Sequence, residues 1–109
     1  KIILSSTGGA IYGNQDEFPC SENSSLNPIS PYGVSKLTTE KYLEVFAGLY
    51  GYQYTILRYG NVYGPRQNPS GEAGVISIFA GLLLKGDSVK IFGDGSQLRD
   101  YIYIWCSGC

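Results

Sequence analysis

An α/β fold with parallel strands is predicted for this chain from three consecutive segments. Residues 2–6 are an apolar run that ends in hydroxyls, residues 32–50 form a long segment without proline, and residues 54–59 are rich in aromatic and β-branched side chains. The order strand, helix, strand is typical of a βαβ unit, in which the two strands are parallel. The carboxyl ends of both strands and the start of the helix should therefore lie at one edge of the sheet, where open α/β sheets bind ligands.

The first segment brings hydroxyl side chains to that edge. Ser5, Ser6 and Thr7 follow an apolar run and precede Gly8 and Gly9. An apolar run of this length indicates a buried parallel strand. A strand followed by an ordinary Ser/Gly turn has the same pattern, so the pattern alone leaves both interpretations open. The segment 8–30 that follows is rich in Ser, Asn and Pro and is expected to be a surface loop.

The helical segment contains the residue pair with the clearest chemical meaning. Tyr32 and Lys36 are four residues apart and therefore lie on one face of a helix. Ser30 suits the N-cap, Pro31 the first turn, and Gly51 the position after the last turn. A phenol is a weak base at neutral pH, but a fixed ammonium nearby favours its deprotonated form and makes it a general base for an alcohol proton. Because the same spacing also occurs on solvated helix faces, the pair needs support from its neighbours.

The second half of the chain is predicted to contain one more helix and two short strands. A loop dense in Gly, Pro and Asn is expected over residues 60–74, followed by a helix over residues 75–84. Strand-like runs at residues 89–92 and 101–104 flank a turn at residues 93–96. In the long helix, the apolar residues are expected in the core or in an interface; they are Val34, Leu37, Tyr42, Leu43, Val45, Phe46 and Leu49.

Together these motifs are similar to those of one family. The chain resembles the extended short-chain dehydrogenases/reductases, in particular the NAD-dependent nucleotide-sugar epimerase/dehydratase group and, within it, the UDP-glucose 4-epimerase-like proteins. The matching segments, in the order of the family, are residues 5–13, 30–36, 57–67, 91–95 and 99–101. The resemblance implies a partial Rossmann fold, namely the carboxyl-terminal half of the doubly wound parallel sheet, followed by the start of the small substrate domain.

The resemblance also implies a division of the chain into three parts. Residues 1–72 would form the carboxyl-terminal half of an NAD-binding domain with the catalytic tyrosine and lysine, and residues 73–104 the start of a nucleotide-sugar-binding region. Residues 105–109 depart from the family pattern and contain the only tryptophan and two of the three cysteines. We interpret this tail as sequence read out of register or as the end of a truncated gene.

The resemblance assigns roles to single residues. In a complete enzyme, Tyr32 would take a proton from a sugar hydroxyl while NAD accepts hydride from the same carbon, and Lys36 would bind the nicotinamide ribose. Thr7 would bridge the substrate oxygen and the tyrosine, with Ser6 as the alternative because the glycine pair shifts the local alignment by one residue. The residues implied to bind the cofactor are Ser5, Ser6, Tyr32, Lys36 and Tyr59. Those implied to bind the UDP-sugar substrate are Thr7, Asn61, Phe92, Gly93 and Arg99, and no metal site is implied.

Each of these assignments has a plainer alternative in the sequence. Asn61 could shape a turn, Thr7 could cap backbone amides, and Arg99 could form a surface ion pair with a neighbouring carboxylate. The sequence also bears on the type of reaction. The 4,6-dehydratases of the group have an Asp-Glu pair directly after the Ser/Thr, whereas in this chain Thr7 is followed by Gly8 and Gly9. This favours 4-epimerisation over dehydration, while decarboxylases and simple reductases are less well excluded.

The length of 109 residues suits a fragment of this family, whose enzymes are roughly three times longer. The sequence has no Gly-x-x-Gly-x-x-Gly turn for the pyrophosphate of NAD. The chain alone is therefore expected to bind NAD weakly and to be inactive. The alternative is a non-catalytic, truncated module that folds and oligomerises without a cofactor.

Composition limits the other classes of function. The formal net charge of −1 gives no basic surface for nucleic acid, and no apolar run approaches the ~20 residues of a membrane span. The three cysteines lack zinc-ligand spacing, so a reduced, cytoplasmic setting is expected. The absence of histidine excludes a His-based triad within this sequence. A homo-oligomer is expected, with the helix 32–50 or an open strand edge at the contact.

Overall fold

The structure is a computed structural model that describes residues 1–16, 18–70 and 74–105. The chain divides into two units, Lys1–Tyr59 and Gly60–Cys109. Its elements in chain order are β1 (Ile2–Thr7), α1 (Pro31–Tyr50), β2 (Tyr54–Tyr59), β3 (Asn61–Tyr63), α2 (Val75–Leu84) and β4 (Tyr101–Tyr103). The expected domain boundary after residue 72 and most of the atypical tail, residues 106–109, lie outside the described residues.

The first unit is the βαβ arrangement that the sequence predicts. β1 and β2 are parallel, in a register that runs from Ile2 opposite Tyr54 to Thr7 opposite Tyr59. α1 connects the two strands and packs against both of them. The α/β class is therefore confirmed, and the last residues of both strands lie side by side at one edge of the sheet.

Both ends of α1 are set by the predicted residues. The Ser30 side chain caps the helix by accepting a hydrogen bond of 3.1 Å from the backbone N–H of Gly33. At the other end Gly51 adopts φ = 70°, a left-handed conformation that favours glycine, and its N–H donates to the Ala47 carbonyl at 2.8 Å. The helix begins at Pro31, one residue before the predicted start.

The side of α1 that is buried is narrow and consists of small or charged residues. Gly33, Glu40 and Ala47 are spaced by seven residues and are the buried positions of the helix. Several of the apolar side chains that were expected in the core or in an interface are exposed on this chain and so lie outside its core, namely Val34, Tyr42, Val45, Phe46 and Leu49. The rings of Tyr42, Phe46 and Tyr50 stack along the helix, with centroids 6.2 and 5.9 Å apart.

The segment between β1 and α1 contributes to the core, so the expectation of a surface loop is wrong for part of it. Ile11 is fully buried and Tyr12 is 8% exposed. The close packing depends on Gly33, because a Cβ atom there would collide with the carbonyl oxygen of Ala10 and lie 2.8 Å from the Cβ of Pro28. An apolar pair within a polar loop was the sequence signal that the loop folds back onto the helix.

The second unit differs from the prediction in its strands. β3 and β4 form a parallel pair, from Asn61 opposite Tyr101 to Tyr63 opposite Tyr103. β3 was expected to be loop, and such a short strand is defined by its distant partner rather than by its own sequence. The expected strand at residues 89–92 is absent and that segment is irregular. The bounds of α2 agree with the predicted helix.

Candidate active site

The polar groups of the first unit converge where β1 and β2 end. Ser5, Ser6 and Thr7 are the last residues of β1, and Tyr59 ends β2 opposite Thr7. The pairing of the two strands continues one residue further, because the backbone N–H of Gly8 donates to the Tyr59 carbonyl at 2.6 Å. The hydroxyl-bearing end of β1 lies beside the first turns of α1, where the Lys36 ammonium donates to the Ser5 carbonyl.

Tyr32 and Lys36 lie together on α1, as the four-residue spacing predicts. The Lys36 ammonium is 5.9 Å from the centroid of the Tyr32 ring. It also donates a hydrogen bond of 3.1 Å to the backbone carbonyl of Ser5. Lys36 therefore holds the start of the helix to the end of β1. The Tyr32 side chain is 55% exposed, and its hydroxyl has no hydrogen-bond partner within the described ranges.

The two hydroxyls considered for catalysis have different surroundings. Ser6 is buried, and its hydroxyl donates a short hydrogen bond to the carboxylate of Glu40. Thr7 is also buried, at 8% exposure, but its hydroxyl makes no hydrogen bond to any residue that the structure describes. Of the pair, only Thr7 thus retains a hydroxyl hydrogen that is free for a ligand.

A buried ion pair lies directly behind this edge. Glu40 is completely buried, and the Arg58 guanidinium donates to it from Nη2 at 2.7 Å and from Nε at 3.1 and 3.2 Å. Burial by itself raises the pKa of the Glu40 carboxyl, but the hydrogen bonds from Arg58 and Ser6 and the charge of Arg58 outweigh it. The net effect is a pKa below the ordinary value of 4.5, and Glu40 is charged at neutral pH.

Arg58 extends the network to the loop before α1. Its Nη1 atom donates to the Tyr12 hydroxyl at 3.2 Å and to the Glu22 carbonyl at 3.3 Å, and its guanidinium lies 5.4 Å from the centroid of the Tyr12 ring. The hydrogen bond to Glu40 is the main reason that the pKa of Arg58 is raised. Arg58 therefore stays charged at every pH at which the protein is folded.

The sequence analysis did not identify Glu40, Arg58 or Tyr12 as parts of the site. A signal was present, since Glu40 continues the four-residue spacing of Tyr32 and Lys36. A charged residue on the side of a helix that faces a sheet needs a partner of the opposite charge on the sheet. Arg58, the only charged residue of an otherwise uncharged strand, was the available partner.

The predicted substrate residues of the second unit are exposed. The Asn61 side chain donates to the Asp100 carbonyl at 3.0 Å, beside the backbone hydrogen bond between the same residues at 2.8 Å. Arg99 donates to the Leu98 carbonyl at 2.7 Å and, within the described ranges, forms no ion pair with a carboxylate. Phe92 is 74% exposed and lies under the Lys90 ammonium, 5.0 Å from its ring centroid.

The second unit also contains a glycine turn and an open depression. Gly93 has φ = 81° and follows Phe92 directly. A depression of about 350 Å³ is lined by residues 62–67 and by Ile104. None of Asn61, Phe92, Gly93 and Arg99 lines that depression.

The donors at the edge of the first unit fit a ribose and a reacting alcohol. The Lys36 ammonium has three N–H donors, and one of them is used by Ser5. The hydroxyls of Tyr32 and Thr7 supply further groups without a partner in the described structure, and Tyr32 is accessible to solvent. No cluster of metal-ligating side chains is found among residues 1–16, 18–70 and 74–105.

Comparison with known proteins identifies the family. The model of the NAD-dependent epimerase/dehydratase family matches residues 1–105. The chain belongs to the NAD-dependent epimerase/dehydratase family. Within this family, it is similar to a UDP-glucose 4-epimerase of Mycolicibacterium smegmatis, with 46% identity over 95% of this chain and 33% of the relative.

Solved structures of the epimerase/dehydratase family have the same fold. UDP-glucose 4-epimerase from Thermotoga maritima, determined with UDP-glucose, has a TM-score of 0.89 and 61% identity over 93% of this chain and 33% of its own. The enzyme from Thermus thermophilus, determined with NAD, has a TM-score of 0.83 and 50% identity over 93% of this chain and 34% of its own. The chain thus spans about a third of the length of these relatives, which confirms the expected fragment of the family fold.

The resemblance inferred from the sequence is therefore confirmed at the level of family, fold and cofactor class. In the described residues, no helix combines the length and the apolar character that crossing a membrane would require.

Proposed function

We propose that this chain forms the catalytic part of an NAD-dependent UDP-hexose 4-epimerase. The observation that supports the proposal most directly is the position of Lys36, which contacts the Tyr32 ring and the Ser5 carbonyl at the end of β1. The family membership and the similarity to UDP-glucose 4-epimerases support the reaction type. Residues 1–72 would then belong to the NAD-binding domain, and residues 73–104 to the start of the nucleotide-sugar-binding region.

In this proposal, Tyr32 removes the proton of the sugar 4-hydroxyl and returns it later. Lys36 would place its positive charge beside the Tyr32 ring and use its remaining N–H donors on the nicotinamide ribose. When bound, NAD⁺ would supply the acceptor for the hydride of the same carbon and, once reduced, the donor of a hydride to the opposite face of the sugar. One proton and one hydride leave and return, so the reaction is an isomerisation without net oxidation.

Thr7 is the hydroxyl that we assign to the substrate. It would bridge the 4-oxygen of the sugar and Tyr32, since its hydrogen is not used by a described neighbour. The Ser6 hydroxyl is bonded to Glu40 instead, which argues against the alternative assignment. Ser5, Ser6 and Tyr59 would shape the cofactor side of the edge, whereas Asn61, Phe92, Gly93 and Arg99 would contact the nucleotide part of the substrate. For Arg99 the partner would be a phosphate oxygen.

The experiment uses a chimera in which residues 1–105 replace the matching third of the Thermotoga maritima enzyme. We expect the chimera to interconvert UDP-glucose and UDP-galactose and the isolated 109-residue chain with added NAD⁺ to show no turnover. Tyr32→Phe should lower kcat of the chimera by about 10²–10⁴-fold, the usual contribution of general acid–base catalysis. The KM for UDP-glucose should change far less, because only one hydroxyl is lost.

Tyr42→Phe is the matched control, since this exposed tyrosine lies on the same helix. It should leave kcat unchanged. A Tyr32→Phe chimera that keeps near-full activity would remove Tyr32 from the mechanism. An inactive chimera that is folded and binds UDP-glucose would favour the alternative, a module that folds without catalysing the reaction.

We also propose that the protein is a homo-oligomer in which α1 packs against its copy. The stacked rings of Tyr42, Phe46 and Tyr50 form an exposed apolar surface on the side of α1 away from the sheet. Exposed apolar surfaces of this kind are typical of interaction sites.

A further inference from the structure

We propose that Glu40 is a positioning residue for the site, which acts through Ser6 and Arg58. Its buried carboxylate would fix the position of α1 along β1, so that Tyr32 and Lys36 meet the end of the strand. The proposal rests on the proposed function for its catalytic consequence, but the positional effect is a property of this chain alone.

The geometry joins two consecutive residues of β1 to two consecutive turns of α1. Lys36 donates to the carbonyl of Ser5, and Glu40, one turn later, accepts from the hydroxyl of Ser6. One helical turn advances about 5.4 Å, and one strand residue about 3.3 Å. A slide of the helix by one turn would break both hydrogen bonds at once, and neither could form again with the next residue of the strand.

Arg58 anchors the carboxylate from the neighbouring strand. Arg58 is the register partner of Ser6, so the two side chains reach Glu40 from adjacent strands. With donors on both sides, the carboxylate is fixed in the direction across the strands as well as along them. Hydrogen bonds between charged groups depend on direction, whereas an apolar contact at this position would allow the helix to rotate or slide.

The same network supports the loop that follows Thr7. Arg58 donates to the Tyr12 hydroxyl, and the guanidinium also lies over the ring of Tyr12. The segment from Gly8 to Tyr12 is therefore linked to Glu40 through one side chain, that of Arg58. As a result, the three groups that we assign to the reaction, on Thr7, Tyr32 and Lys36, all belong to segments that Glu40 holds directly or through Arg58.

The first test measures position in the 109-residue chain by NMR. The probe is the nuclear Overhauser effect between the ε-methylene protons of Lys36 and the α-proton of Ser5. We expect Glu40→Gln, which keeps the shape but removes the charge, to reduce this effect at least about twofold while the chain stays folded. Glu44→Gln, on the same helix but in an exposed pair with Lys41, should leave it unchanged.

The milder variant Ser6→Ala covers the case in which Glu40→Gln does not fold. It keeps the ion pair with Arg58 and removes only the attachment to β1. It should reduce the same signal, and an unchanged signal in a folded variant of either kind would overturn the proposal.

The second test separates positioning from substrate binding in the chimera. Glu40→Gln should lower kcat about 10- to 100-fold, the scale expected when catalytic groups are misplaced by about 1 Å. The KM of Glu40→Gln for UDP-glucose should stay within about twofold of the parent value. Glu40→Asp keeps the carboxylate, but its kcat should stay below that of the parent chimera because its side chain is one methylene too short. A fall in folded fraction with unchanged kcat per folded molecule would show that the role is only structural. If the parent chimera has no activity, the proposed function fails, and the NMR signal still decides whether Glu40 positions the helix.

Discussion

Replacing Arg58 by methionine tests whether the buried charge of Glu40 depends on its partner. Arg58→Met keeps an unbranched side chain as far as the position of Nε but removes the guanidinium, which leaves the fully buried Glu40 carboxylate with Ser6 as its remaining donor. Removing one partner of a buried ion pair costs about 3–5 kcal/mol, because the other charge stays in a poorly solvating environment. That is a large part of the about 5–15 kcal/mol by which domains are stable.

The pH dependence of the contribution that Glu40 makes to stability should have opposite signs in the parent and in Arg58→Met. In the parent chain the pKa of Glu40 is lowered by Arg58 and Ser6, so its stabilising contribution is present above the ordinary value of 4.5 and is lost as the pH falls through the lower, folded value. Without Arg58, burial dominates and raises the pKa. In the variant, the contribution of Glu40 to stability is then fully present below pH 4.5, the ordinary pKa, and is lost as the pH rises through the raised pKa of the folded state.

The free energy of unfolding, measured by urea denaturation with far-ultraviolet circular dichroism at pH 7 and pH 4.5, shows both effects. The difference in unfolding free energy between the parent and Arg58→Met should be largest at pH 7 and smaller at pH 4.5, by about 1.4 kcal/mol for each unit by which the Glu40 pKa of the variant exceeds 4.5. Glu40→Gln combined with Arg58→Met should be more stable than Arg58→Met alone at pH 7, because the unpaired charge is gone.

The exposed pair between Lys41 and Glu44 provides the control for this experiment. Its side chains are 60% and 37% exposed, and Lys41→Met should change stability by less than about 1 kcal/mol at either pH. The reasoning is refuted if Arg58→Met costs no more than Lys41→Met, or if its cost is the same at both pH values.

Two further predictions concern α1. Gly48→Ala should stabilise the chain by about 1 kcal/mol, since a Cβ there meets nothing within 4 Å and alanine is the better helix former. Gly33→Ala should instead destabilise the chain by about 1–3 kcal/mol, because its Cβ would collide with Ala10 and Pro28. Thermal unfolding measures both, and equal effects of the two substitutions would contradict the packing. The aromatic surface predicts self-association, so sedimentation at tens of micromolar should detect a dimer or larger assembly, and Phe46→Glu should shift it towards the monomer; a parent chain that is monomeric at that concentration would exclude α1 as an interface.

Local signals in the sequence were sufficient for the elements whose limits are set by the chain itself. Ser30 and Gly51 define the ends of α1 by side-chain capping and by a left-handed backbone, and both effects depend on residues a few positions apart. β3 was missed, and a strand at residues 89–92 was wrongly expected, because a short strand forms only where a partner is available. That partner is brought by the tertiary fold, so strand propensity alone did not distinguish the two segments.

The candidate site shows the same division between local and distant information. The spacing of Tyr32 and Lys36 predicts a shared helix face, and the structure places them so, but it also shows that the face is attached to β1 by a buried carboxylate. Glu40 has no recognisable role until Arg58, from a different element, is found beside it. A charge that is completely buried is costly unless it is paired. Its position directly behind the hydroxyl edge is therefore best explained by what it holds in place, since an apolar residue would fill the same space without fixing the register of α1.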